Sequence, residues 1–154
     1  MKKLFTALTI AISLTASAQK SEVIAVDSAT KADLYSKSME WVAKTWSKAN
    51  EVVQSKDPEA GVIIVKGGLA SKPKSLGMPV AGMTYTTVTI RVKDGKAKID
   101  FEDTFFRHSM GTVNFTDKSA DTCIYKKWKA AVDEEQIGMI ADLKLALTKK
   151  LEDF

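Results

Sequence analysis

The segment MTYTTVTIRVKDGKAKIDFEDTFFR, residues 83–107, constrains the fold more than any other part of the chain. Asp94-Gly95 stands between two alternating runs, and Asp-Gly in that setting is the strongest short-range signal for a β-hairpin. A two-residue turn there sets the register on both sides. Val92 then faces Ala97, Ile90 faces Ile99 and Val88 faces Phe101, all on one side. Thr89 faces Asp100, Thr87 faces Glu102 and Tyr85 faces Thr104 on the other. A slip of one residue would turn every apolar side chain outward, so the pattern favours a single register. The hairpin therefore has a core face and a largely polar face, as antiparallel sheets commonly do. Arg91 opposite Lys98 is a like-charge pair, with Asp100 as a diagonal neighbour that offsets it. If the turn is type I′, Gly95 takes a positive φ.

The core face needs a cover, and DLYSKSMEWVAKTW supplies an amphipathic helix. Thr30 caps its first turn, where Asp33 favours the positive end of the helix dipole. At about 100° per residue, Leu34, Tyr35, Ser38, Trp41, Val42, Thr45, Trp46 and Ala49 fall on one face. Asp33 with Lys37, and Glu40 with Lys44, are opposite charges one turn apart on the other face. The aromatics thus belong to the core, with Tyr35 and Trp46 near the stripe edge and so the candidates for partial exposure.

Around these two elements the rest falls into place. Ser21–Asp27 reads as a first strand. Glu51–Asp57 and Gly61–Gly67 flank Pro58-Glu59-Ala60 and read as a second hairpin. Residues 67–82 hold four of the eight glycines and two of the three prolines, which predicts a long mobile loop. Residues 107–120 show no clear period. Asp133 looks like an N-cap for a helix whose stripe is Ile137, Ile140, Leu143, Leu147 and Leu151. Residues 122–132 extend that helix or form a separate short one.

The first eighteen residues, MKKLFTALTIAISLTASA, have a basic start, an uncharged apolar run and Ala16-Ser17-Ala18. That is the pattern of a cleaved export signal. Cleavage after Ala18 leaves Gln19 first and one domain over residues 19–154, periplasmic or secreted. Without Lys2 and Lys3 the chain carries 21 basic and 19 acidic residues, a net +2. Such a charge makes no strong field for nucleic acid. Cys123 is the only cysteine, so no internal disulfide forms.

Catalytic patterns are sparse. His108 is the only histidine, which excludes a two-histidine metal motif. There is no G-x-S-x-G elbow and no phosphate-loop order. Glu102 and Asp103 point to opposite sides of a strand, whereas Asp100 and Glu102 share a face. No cofactor is implied. The expected interaction surface joins Lys72 and Lys74 of the long loop to Tyr85, Thr87, Arg91, Asp100 and Glu102 of the polar face.

The order strand, helix, four strands, helix is that of the TATA-binding-protein-like (TBP-like) fold. With Leu34, Tyr35, Trp41, the SKDPEAG turn and Gly67, residues 25–105 resemble domain-of-unknown-function family 4468, exported bacterial proteins with that fold. The resemblance implies an α+β domain, a curved antiparallel sheet with helices on one face, and assigns no activity. The reading that results is a non-catalytic envelope module binding a protein, a peptide or a glycan. Two alternatives are a hydrolase using Asp100, Glu102 or His108, and a lipid-surface protein using Leu143, Leu145 and Leu147.

Overall fold

The computed structural model describes residues 20–115 and 123–149. The export signal, its cleavage point and Leu151 lie outside them. Strand β1 (Lys20–Ala25) leads to helix α1 (Lys31–Thr45) and the single turn α2 (Ala49–Val52). Strands β2 (Val53–Asp57), β3 (Val62–Ser71), β4 (Lys74–Ser75), β5 (Met78–Pro79), β6 (Gly82–Lys93), β7 (Lys96–His108) and β8 (Gly111–Asn114) follow, then helix α3 (Cys123–Thr148). The main sheet is antiparallel in the order β1-β7-β6-β3-β2, with β8 on the far end of β7. Both long helices pack on one face of it. This is the expected α+β architecture.

The Asp94-Gly95 hairpin holds the register read from its sequence from Lys93–Lys96 to Thr87–Glu102. Its turn differs in one respect. Gly95 has φ +75 while Asp94 is not among the residues with positive φ, so the turn is not type I′. The reason lies in where it docks. The Asp94 carboxylate accepts the Lys31 amide at 2.7 Å, at the start of α1, and the Gly95 amide donates to the Ala29 carbonyl at 2.9 Å. The hairpin tip thus caps the helix that covers it. Gly95→Val meets no neighbour within 4 Å yet forces a β-branched residue into the left-handed region. It should lower stability by about 1–2 kcal/mol in chemical denaturation.

Beyond Thr87 the register shifts. Tyr85 pairs with Phe105, not Thr104, because Asp103 (φ +50) is an extra residue in β7. The bulge exchanges the faces of the strand. Ala97, Ile99 and Phe101 point at the helices before it, and Thr104 and Phe106 do so after it. The core divides accordingly. Leu34, Trp41, Val42, Ile63, Val88, Ile90, Phe101, Leu143 and their neighbours form the larger cluster. Phe106, Phe115, Trp128 and Val132 form a second. Among the buried polar residues, Gln136 donates to Thr104 Oγ1 at 3.1 Å, and Thr104 and Thr86 hydroxyls meet at 2.9 Å.

That second cluster explains why Asp133 is not an N-cap. Trp128 and Val132 continue the buried stripe upstream, so residues 123–132 are the first part of α3 itself. Asp133 instead takes Lys129 Nζ at 2.8 Å, one turn away on the helix surface. The stripe is Trp128, Val132, Gln136, Met139, Leu143 and Leu147, and Ile137 is exposed.

Trp46 is buried, at 3 % exposure. It follows the last residue of α1 with extended backbone, φ −114 and ψ 118, which carries its ring off the helical projection. The ring meets Trp41 edge-on at 5.6 Å and lies over Gly67, where a Cβ would come within 2.6 Å of its Nε1. Tyr35 is half-buried as expected.

Residues 67–82 are less loop-like than their composition suggests. β3 runs on through Gly67 and Gly68 to Ser71, because those glycines make room for rings and do not break the strand. Lys74–Pro79 then make a small hairpin with positive φ at Leu76 and Gly77, closed by the Val80 amide on the Pro73 carbonyl at 2.8 Å. Glu51 and Val52, expected in a strand, form the turn α2.

Candidate functional site

The sheet face away from α1 and α3 carries the outward residues of β1, β3, β6 and β7. Three features stand on it. At its centre Asp100 is held at 7 % side-chain exposure. Arg91 Nη1 lies 2.5 Å from its Oδ2, while Lys98 Nζ at 2.8 Å and Ser21 Oγ at 2.6 Å share its Oδ1. Burial by itself would raise this carboxyl. Hydrogen bonds from Lys98 and Ser21, with the charges of Lys98 and Arg91, outweigh it and hold the pKa below the ordinary carboxylate range. Asp100 thus stays an anion and offers no proton at neutral pH, which suits a structural counter-ion.

On one side of Asp100 lies an aromatic platform. Tyr85 and Phe105 stack at 5.1 Å and 14°, with the Arg107 guanidinium 5.2 Å and 5.7 Å from their centroids. Gly68 lets the Tyr85 ring lie against the sheet, since a Cβ there would come within 2.8 Å of it. On the other side, towards the hairpin tip, is a depression of about 370 Å³ lined by Val23, Arg91, Lys93, Lys96 and Lys98 among others. A polar one of about 450 Å³, lined by Ser21, Arg91, Lys98, Asp100 and Glu102, adjoins it.

Of the residues expected to form the surface, Tyr85, Thr87, Arg91, Asp100 and Glu102 share this face. Lys72 and Lys74 do not. Ser71 hydrogen-bonds Glu135 of α3, and the Lys74 carbonyl accepts Trp128 Nε1 at 3.2 Å, so this excursion turns to the helix side. The two lysines are exposed there, apart from the rest. Phe105, Arg107 and Val23 were missed. Phe105 and Arg107 reach this face only through the Asp103 bulge, and a period-two reading assigns them to the core. The adjacent pair Phe105-Phe106 shows in the sequence only that one ring faces outward, and the bulge decides that it is Phe105.

The structure separates the groups suggested for hydrolysis. His108 lies on the helix side, 5.2 Å from the Trp128 ring and 5.6 Å from the Phe106 ring. Asp100 and Glu102 are on the opposite face. The three leucines do not share a face either: Leu143 and Leu147 are buried and Leu145 is 70 % exposed. No helix among the described residues is long and apolar enough to cross a membrane. No group of three or more potential metal ligands occurs among them.

None of the curated proteins compared with the chain matches it. Solved structures share its fold. A DUF4468 family protein from Bacteroides ovatus superposes with a TM-score of 0.70 at 14 % identity, over 86 % of each chain. A TBP-like protein from Parabacteroides distasonis gives 0.71 at 13 %, over 86 % of this chain and 94 % of that one. The family described as "Domain of unknown function (DUF4468) with TBP-like fold" matches residues 21–107, from β1 to the end of the aromatic platform. The chain belongs to this family.

Proposed function

We propose that the protein is an exported, non-catalytic binding module whose open sheet face receives a protein, peptide or glycan partner in the envelope. The observation that carries this reading is the stack of Tyr85, Phe105 and Arg107 on a face that neither helix covers. Half-buried rings under a guanidinium present apolar area and a fixed charge together, as binding surfaces commonly do. Asp100 is fully engaged in holding Arg91 and Lys98, which fits a recognition surface better than a proton-transfer site.

The test is capture from envelope extract by the exported protein, compared with Thr87→Lys, which sets an ammonium in the middle of the face. Capture by the native protein and its loss in the variant is the expected result. Equal capture by both would place the binding elsewhere. Export is tested separately by intact mass: the secreted product should begin at Gln19. A product retaining Met1 in the membrane fraction would overturn it.

Asp100 also sets a pH dependence. Its folded pKa is lowered, so the stability it supplies is present above the unfolded value of about 4 and is lost as pH falls through the lower folded value. Asp100→Asn should lose about 1–2 kcal/mol at neutral pH, less at high salt, because Arg91 and Lys98 are half exposed. Melts of the two proteins should converge as pH falls below the unfolded carboxylate value of about 4 and through the lower folded one.

A further inference from the structure

We infer that the hairpin-tip depression is the subsite for an acidic polypeptide segment bound in extended form. This rests on the binding role of the sheet face and names what part of that face recognises.

The cations there are arranged against the interest of the fold. Arg91 stands directly opposite Lys98, and Lys93 directly opposite Lys96, in neighbouring rows of one strand pair. Like charges directly opposite destabilise a sheet. Arg91, Lys96 and Lys98 lie where β6 and β7 are paired on both sides, so they do not guard a sheet edge, and Lys93 stands just past the last β3 pair at the hairpin tip. One carboxylate, Asp100, serves the first row. Lys93 and Lys96 are exposed and have no ion pair among the described residues. Asp94 and Asp57 are turned to the backbone amides of Lys31 and Ala60, and Glu102 lines the adjoining polar depression with Arg91 and Lys98. Arg91, Lys93, Lys96 and Lys98 thus outnumber the carboxylates beside them, Asp94, Asp100 and Glu102, and leave a net charge near +1 that an external anion can complement.

Val23 gives the site its second property. It sits opposite Lys98 in β1 and is 58 % exposed within the depression. The aliphatic stems of the lysines extend that apolar surface. The two cation rows are two residues apart along a strand, about 7 Å. Carboxylates at positions i and i+2 of an extended peptide have that same spacing and point to one face, where the methylenes of those same glutamate side chains meet Val23. A glycan matches the charge only if acidic, and sets hydroxyls against the apolar part.

The test follows backbone amide shifts of the labelled protein while adding an eight-residue peptide of alternating Glu and Val. Controls are the Gln-Val peptide and an oligomer of uronic acid. The expected result is saturable shifts at Val23, Lys93, Lys96 and Lys98 with Glu-Val alone. Affinity should fall with salt and weaken about tenfold in Lys93→Gln/Lys96→Gln. Both lysines are exposed, so melts of that variant serve to confirm folding. Three outcomes overturn the inference: no shift with Glu-Val, equal shifts with Gln-Val, or shifts at these residues with the uronic oligomer only. Shifts confined to Tyr85, Phe105 and Arg107 would also overturn it while leaving the binding role of the face standing. Partner capture that survives Thr87→Lys would instead remove that role, whatever the peptide does.

Discussion

Val88→Lys should abolish folding, while Thr87→Lys, one residue away, should melt within about 0.5 kcal/mol of the native protein. Val88 is fully buried between Val65 and Phe101 in the sheet, under α1 and α3. An ammonium there has no counter-ion and no route to water. The effective cost of such an ion is several kcal/mol, on top of the lost apolar contacts. A domain of this size has only about 5–15 kcal/mol in total. Thr87 points the other way, next to Glu102, where the added charge has a partner. Circular dichroism and thermal melts decide the matter. Comparable damage from both would mean that the outer face is covered, and the proposed binding surface would go with it.

Trp41→Ala and Trp46→Ala should each cost about 3–5 kcal/mol in chemical denaturation. The helix pattern alone expects Trp46 to cost less, as a residue at the edge of the stripe. Its 3 % exposure, against 5 % for Trp41, removes that distinction. Each ring is also part of the other's wall, so the double variant should lose less than the sum of the single losses. A loss below about 1 kcal/mol for Trp46→Ala would contradict its packing over Gly67.

What could be read from the residues follows a clear physical line. Alternation in 88–101 and the helical stripe in 31–45 are local periodicities, and both elements were legible with their buried faces. The Thr30 cap was legible because its partner, Asp33, is three residues away. The errors arise where a distant contact decides. Trp46 leaves the helix to reach Gly67. Gly67 and Gly68 read as loop because the rings they accommodate come from α1 and β6. Asp133 has the chemistry of a cap, but Trp128 and Val132 find Phe106 and Phe115 and carry the helix past it. For the candidate site, five of the seven expected residues share the sheet face. The rings that most define it were hidden by a single inserted residue.

That residue, Asp103, makes β7 two strands with opposite parity. The chain on either side is legible only in its own frame, much as a text is after a one-letter insertion. Removing Asp103 would not shorten the strand so much as invert its far end. Phe105 and Arg107 would turn inward, and Phe106, the centre of the second core cluster, would turn to solvent. Length changes should therefore be tolerated very unevenly. The Leu76-Gly77 tip, exposed and free of neighbours around Gly77, can absorb them. At Asp103 even one residue exchanges a core for a surface, so variation in length at this point of the chain should be rarer than variation in the residues themselves.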